Sequence, residues 1–592
     1  MPAVFRHLLV FLLCCVVTSA SAQPRLDVVG ADEDLRDAIE AASLLFRETD
    51  EPRSRQDTVA AARADYARII GALYDRGYFA AEVSIRVNGR EAGGLSPFAA
   101  PADVSDLAIR VDPGPVFQFG RAEIGPLAAG DTPIKDFQTG APATVPVLRD
   151  SAQRAIDAWR DAGHATAGIE RQSLQALNRE ARLNATIRIA PGPQLDFGAL
   201  RPTGLDRLSA SRFQEIAGLP RGEVFSPDEL NRAANRLRRS GVFSSVALTE
   251  AEPNPDGTID IDAAVVEAPL RRIGFGAEVS TTDGGRLTAF WLHRNLSGNG
   301  DRLRFDAEIS GIGQQDSAPD YELSANFSRP ASATPDTTFR ATATLAYQDE
   351  ETFEESVFEI SAGVEQQITD RLSAEARLGL RYSQVSDGFG DRDVTLLTLP
   401  LGVTWDGRDD PLDATGGLFA DLDLTPFYAT SSAETGVRLE FDGRAYTSFG
   451  ADDGTRLAAR LQLGSVFGGD VRDLPPDFLF FSGGGGTVRG QDFRSLGATQ
   501  LGTDAGGRGF IGLSAELRQA VTETIGAVAF YDAGYISQEA LFDDSGTWHS
   551  GAGLGLRYNT PFGAIRLDVA TPVDGPGASE DVYLYIGIGQ SF

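Results

Sequence analysis

In RLSAEARLGLRY, residues 371–382, every even position is apolar or aromatic (Leu372, Ala374, Ala376, Leu378, Leu380, Tyr382), and the odd positions are Arg, Ser, Glu, Arg, Gly and Arg. Successive side chains on a strand point to opposite faces, so this segment presents one face to an apolar medium and one to water. The same alternation recurs in RLRFDAEI (302–309), TRLAARLQL (455–463), AIRLDV (564–569) and VYLYIGIGQSF (582–592), with turn-rich segments of Gly, Asp, Asn and Pro between them. A soluble β-sandwich and a closed transmembrane barrel both show this periodicity. Size favours the barrel: the stretch from about Arg271 to the end holds about 16 strands at ~20 residues per strand and connection, an even number that closes without an edge. The chain also ends on Phe592, in register with Val582, Leu584, Ile586 and Ile588.

The first 22 residues set the compartment. Arg6 and His7 precede the apolar run LLVFLLCCVV (8–17), and the segment closes on Ala20-Ser21-Ala22, a pattern that reads as a cleaved export signal. Ten apolar residues are too few to span roughly 30 Å of hydrocarbon. Both cysteines, Cys14 and Cys15, fall inside this signal, so the mature chain is expected to have no thiol chemistry.

Charge and motif content narrow the function classes. The formal net charge is −31, from 84 acidic against 53 basic residues, which argues against a nucleic-acid partner. There is no G-x-S-x-G elbow and no H-E-x-x-H. His164, His293 and His549 are too dispersed for a metal site, and His164 stands where sister segments carry Tyr78 and Val242, which suggests packing. The expectation is a protein that is not an enzyme, with no catalytic residues, metal or cofactor.

Residues 24–269 contain a threefold repeat of mixed α and β character. LYDRGYFAAEV (73–83), WRDAGHATAGI (159–169) and LRRSGVFSSVAL (237–248) each end a helical pattern at a glycine, Gly77, Gly163 or Gly241, and then enter an apolar stretch. Glycine takes the left-handed conformation that closes a helix at no Cβ cost. Each unit ends in a further strand: DLAIRVDPGP (106–115), ARLNATIRIAPGP (181–193) and TIDIDAAVVEAP (258–269). These units, each read as a strand, two helices and two strands, resemble POTRA domains, periplasmic modules that bind extended chains by strand addition. The expected organisation is a signal peptide (1–22), POTRA-like units at 23–115, 116–193 and 194–269, and a barrel at 270–592. The fold class is thus α+β repeats followed by an all-β transmembrane barrel. A rigid spacer without a binding role is the alternative for any single unit.

FSGGGGTVRGQDF (481–493) places four consecutive glycines and Arg489 in one loop. The spacing fits neither a P-loop nor G-x-G-x-x-G. Strand parity supplies partners for a lumen cation. In FIGLSAELRQ (510–519) the apolar set Ile511, Leu513, Ala515 and Leu517 turns Glu516 inward, and in IGAVAFYDAGY (525–535) Asp532 lies opposite Ile525, Ala527, Ala529 and Tyr531. VRG (488–490) and FYDAG (530–534), together with WDGRDDPLDATGG (405–417) and GAGLGLRYNTPFGAIRLDVATPV (551–573), resemble motifs of the BamA/TamA superfamily of outer-membrane assembly proteins.

By that resemblance Arg489, flanked by Val488 and Gly490, anchors a lumen loop by pairing with Asp532, between Phe530 and Gly534, and with Glu516. The superfamily carries an aromatic after the motif glycine, whereas Gln491 stands here, so aromatic packing comes from Phe493 or is absent. The count of three modules fits the TamA branch. It implies an assembly factor of a Gram-negative outer membrane, in contact with its lipid. Its clients would be unfolded outer-membrane proteins such as autotransporters, and its partner a TamB-like inner-membrane-anchored protein. The first and last strands would meet at a lateral seam containing Gly587, Gly589 and Phe592. Glycine there either weakens the last strand or accommodates packing. The alternative function is a two-partner-secretion-type transporter or a substrate-specific pore.

Overall fold

A computed structural model describes residues 24–30, 33–47, 53–101, 103–281, 284–313, 318–450, 454–522, 524–541, 543–560, 563–575 and 581–588. The expected signal peptide, Gly589 and Phe592 lie outside the described residues. Two compact units are present: Met1–Gly198 with Arg221–Asp228 and Glu252–Asp260, and Ala199–Pro220 with Glu229–Ala251 and Ile261–Phe592. No helix among the described residues is long and apolar enough to cross a membrane.

The first unit holds two small sheets. One is ordered Arg25–Val28, Leu107–Asp112, Glu82–Val87 and Arg90–Glu91, the first pair being parallel. Helices Glu33–Ala42 and Arg55–Asp75 accompany it, with Ile39, Ile69, Leu73 and Ile85 fully buried in the core between them. The other sheet is ordered Gln118–Gly125, Arg182–Ala190 and Gly168–Leu177, with helix Val145–Asp161 beside it. Its expected second helix does not form. Pro126, Gly130, Pro133, Gly140 and Pro142 occupy that stretch, and proline and glycine at this density remove donors and rigidity from a helix. Gly77 (φ 88°) and Gly163 (φ 94°), after the helices, and Gly241 (φ 66°) in the second unit all adopt the left-handed region.

In the second unit, a sheet ordered Asp196–Thr203, Thr258–Glu267 and Phe243–Pro253 lies with helices Ala210–Ala217 and Pro227–Arg239. These helices are fastened to the short turns at one end of the barrel. Arg212 donates to the carbonyls of Asn299 (3.0 Å) and Pro330 (2.6 Å), and Arg236 pairs with Asp336 at 2.6 Å.

The barrel is closed and antiparallel, from Arg271–Ser280 to Tyr583–Ile588. Two of its segments, Gly390–Thr398 and Leu401–Asp406, keep one continuous register against both neighbours, so they are one strand interrupted at Pro400. Counted so, the wall has sixteen strands. Parity follows the sequence: Leu378 is 71% exposed on the outer face, whereas Arg381 is buried on the inner one.

At the end opposite the short turns, residues 469–508 fold back inside the barrel. Bridges Phe480↔Gly507 and Ser482↔Leu496 and the hairpin Ala498–Gln500/Thr503–Ala505 give this loop its shape. Leu474, Phe478 and Phe480 from the loop pack with Leu396, Phe427 and Phe510 from the wall in one apolar cluster.

Candidate functional site: the lumen clamp and the seam

Arg489 is 3% exposed and lies among three carboxylates. Its Nε donates to Asp532 Oδ2 at 2.7 Å and its Nη2 to Asp532 Oδ1 at 3.1 Å, a two-pronged contact. Its Nη1 reaches Glu516 Oε1 at 2.7 Å and Asp568 Oδ2 at 3.2 Å. The guanidinium also sits 3.6 Å from the ring centroid of Phe530, whose face attracts a cation. Two further wall arginines complete the cluster: Arg518 Nε to Glu516 Oε2 at 2.8 Å, and Arg557 against Asp568. Three guanidiniums thus face three carboxylates, and all six residues are buried. Such a charge-matched network tolerates burial, whereas an unpaired ion would not.

The neighbours of Arg489 explain the rest of the motif. Gly490 has φ 89°, and a Cβ there would come within 2.6 Å of the carbonyl oxygen of Thr571, so the loop backbone lies directly on the wall. Its N–H donates to the hydroxyl of Tyr585 on the last strand (3.0 Å). Val488 is fully buried. Gly534 leaves room for the Ser482 hydroxyl, which would lie 2.3 Å from a Cβ. Gln491 is buried and donates through Nε2 to the carbonyls of Ser550 (2.7 Å) and Asp574 (3.1 Å), so an amide tie stands where the superfamily has an aromatic. Phe493 is half-buried, its ring 5.5 Å from the Arg494 guanidinium.

Parity alone pointed to Glu516 and Asp532. It did not single out Asp568, Arg518, Arg557 or Tyr585, although Asp568 lies opposite Ile565, Leu567 and Val569 in AIRLDV and so carried the same signal. Together the last five strands each supply at least one member of the clamp.

The seam is closed by few bonds. The first strand pairs with the second through ten residue positions, and the last with its predecessor through six. Among the described residues the first and last strands pair at Val279↔Ile586 and Ser280↔Tyr585, extended by Thr281 N to Leu584 O at 3.0 Å. Among the described residues, positions 271–278 have no partner on the seam side. Gly587 lies beneath an ion pair that crosses the seam from Glu278 to Arg566. A Cβ at Gly587 would stand 3.1 Å from Glu278 Oε1 and 3.2 Å from Arg566 Nη2, so the glycine makes room for that pair.

Of the three histidines singled out in the sequence, His293 lies near Trp291 with its Nδ1 buried and without a hydrogen-bond partner, and the other two are occupied locally. His164 packs edge-on against Trp159 and lies 2.8 Å from the carbonyl of Gly192, and His549 Nε2 is 2.7 Å from Ser482 Oγ. No group of three or more His, Cys, Asp or Glu among the described residues could hold a metal ion.

The Omp85 superfamily domain matches residues 295–592, and POTRA, described as a surface antigen variable number repeat, matches residues 196–268. Among curated proteins the chain is similar to the outer membrane protein assembly factor BamA of Neorickettsia risticii (strain Illinois), 21% identical over 505 residues. That match covers 80% of this chain and 66% of the relative, so the chain spans about two thirds of the relative's length. Among solved structures it is similar to BamA from Haemophilus ducreyi lacking POTRA domains 1–3, with a TM-score of 0.59 at 16% identity, covering 80% of this chain and 100% of that one. It is also similar to CdiB from Acinetobacter baumannii, with a TM-score of 0.52 at 13% identity, covering 80% and 90%. These two likenesses concern the fold.

Proposed function

Because the chain belongs to the Omp85 superfamily, we propose that it is an assembly or secretion factor for β-rich outer-membrane clients, autotransporters among them. Its barrel is an outer-membrane barrel, with the N-terminal modules on the periplasmic side. In this reading a client strand adds to the backbone edge of residues 271–278 when the seam parts, because an unpaired strand edge is a template for another chain. The observation that carries it is the two-position closure between first and last strands, set against ten and six on their other sides. The division at 115, 193 and 269 into three POTRA-like modules, a TamB-like periplasmic partner and direct contact with outer-membrane lipid belong to the same proposal. Arg489 with Asp532 and Glu516 then serves to keep the loop seated while the seam works.

A secretion pore is the competing reading. The loop packs against the inner wall through an apolar cluster, so in that reading a conducting state involves a shift of the loop.

A disulfide across the seam separates the two. The only native cysteines are Cys14 and Cys15 in the expected signal, so Val279→Cys with Ile586→Cys forms a single defined crosslink. Oxidation should abolish client assembly and reduction should restore it. Assembly that proceeds unchanged with the seam locked, alongside conductance that survives deletion of residues 24–269, would establish the pore instead.

A further inference from the structure

We propose that the periplasmic mouth of the barrel lumen holds an oxyanion-binding site centred on Arg302, suited to a phosphate or carboxylate group. A cavity of about 230 Å³ opens there, between helix Pro227–Arg239 of the last N-terminal module and inward-facing positions of the wall. Its charged lining is Arg236, Arg239, Arg302 and Arg340 against Asp336 and Glu365, an excess of two cations in a chain whose net charge is −31.

Three of these arginines are satisfied. Arg236 and Arg239 share Asp336, at 2.6 and 3.3 Å, and Arg340 pairs with Glu365. Arg302 is not. Among the described residues no carboxylate lies within 4.0 Å of it, and its Nε is buried without a hydrogen-bond partner. The charged groups acting on it are all arginines: Arg294, Arg340 and Arg304. Of these, Arg304 is taken by Asp306, and Arg294 donates to the carbonyl of Pro269 at 2.9 Å.

A half-buried guanidinium among like charges is unfavourable unless an anion joins it. Its planar fork matches the two oxygens of a carboxylate or phosphate. The guanidinium also lies close against Gly241, where a Cβ would stand 3.0 Å from Arg302 Nη1. Because Arg302, Arg340 and Glu365 face the lumen, the site is reached from water and not from the lipid face. A packing role for Arg302, against the C-terminal end of helix Pro227–Arg239, is the competing account.

The test uses the full chain folded in detergent at low ionic strength. Its probes are inorganic phosphate, a short Asp/Glu peptide and the matching Asn/Gln peptide, with affinity read by calorimetric titration. Wild type should bind phosphate, the acidic peptide or both, and not the neutral peptide. Phosphate alone identifies a free ion as the ligand, and the acidic peptide alone a chain-borne carboxylate.

Arg302→Gln should weaken that binding at least tenfold and Arg302→Lys by less, while Arg286→Gln, whose arginine already pairs with Glu308 at 3.2 Å, should leave it unchanged. Heat-modifiable migration on a gel checks that each variant retains the barrel. Should Arg302→Gln not fold, wild-type affinity in Arg302→Lys overturns the site. It is likewise overturned if neither anionic probe binds wild type, if the neutral peptide binds as well as the acidic one, or if folded Arg302→Gln binds like wild type.

Discussion

The lumen loop meets the wall through two guanidiniums arranged in opposite senses. Arg489 leaves the loop and enters a wall that supplies Glu516, Asp532 and Asp568, while Arg381 leaves the wall and takes Asp477 from the loop at 2.5 Å. The first cluster is charge-matched by Arg518 and Arg557. The second has one guanidinium for Asp477, Glu355 (2.9 Å) and Glu359 (3.2 Å). Glu355 Oε2 and Asp477 Oδ1 are buried there without hydrogen-bond partners, and Arg438 nearby bonds the backbone carbonyl of Phe478. Both clusters join loop to wall, yet only one satisfies its ions. The matched cluster is therefore expected to hold the loop more firmly than the under-satisfied one.

The largest effect tests the matched anchor. Arg489→Ala leaves three buried carboxylates with two guanidiniums and should cost about 3–5 kcal/mol, the range for breaking a buried pair. Asp532→Ala should resemble it, and the double variant should be little worse than either single, because partners in one network are not additive. Arg489→Lys keeps the charge but loses the fork, so it should fall between. Protease cleavage within residues 483–500 of the folded barrel measures this, and wild-type protection in Arg489→Ala would remove the anchor from the account.

Arg381→Ala should cost less, about 2 kcal/mol, because only Glu355 of its three carboxylates is fully buried, while Glu359 and Asp477 are partly open to water and can be solvated once the cation is gone. Equal losses at Arg381 and Arg489, read by the same cleavage assay, would erase the distinction between the two ends.

Glu267, in the last N-terminal module, is a reference carboxylate with every donor it needs. Burial by itself would raise its pKa, but the N–H groups of Leu208, Arg207 and Asp206 and the Arg207 side chain overcome this and hold it at about 2. A depressed folded pKa gives stability that is complete above the ordinary value of 4.5 and is lost as pH falls through about 2. Glu267→Gln should therefore cost about 1.5 kcal/mol near neutrality, the scale of a hydrogen bond to a charged group. It should also flatten the acid limb of the module's unfolding between those pH values. An unchanged acid limb, followed by hydrogen exchange of residues 199–267, would count against this assignment.

The smallest effect is the sharpest contrast. Asp477→Asn removes a carboxylate from a cluster with too many and should change stability by less than about 0.5 kcal/mol, in the favourable sense because like charges are relieved. Asp532→Asn, in the matched cluster, should be clearly destabilising by the same thermal measurement.

Much of this was legible in the sequence, for particular reasons. Alternation placed Arg381, Glu516 and Asp532 on the inner face because a strand's side-chain period is two whatever surrounds it. The glycine-terminated helices were legible for the same local reason, and Gly77, Gly163 and Gly241 have the left-handed φ that this reading required. The 116–193 segment lacks its second helix because its prolines and glycines outweigh the repeat pattern shared with the neighbouring units. Asp568 was inward by parity yet could not be told from any other inward carboxylate. Parity gives the face, not the height along the lumen.

By itself, the sequence determined which residues face inward, where helices end, and that an arginine in a glycine-rich loop inside the barrel required partners. These follow from rules acting over a few residues. Tertiary structure alone decided which carboxylates stand level with Arg489, since that height depends on the stagger accumulated around the closed wall. It also decided that Gln491 ties the loop to the carbonyls of Ser550 and Asp574, that Asp477 reaches Arg381, and that the described residues of the first and last strands pair at two positions. Each of these joins segments far apart in the chain, and such pairings are fixed by the closed geometry and not by any local pattern.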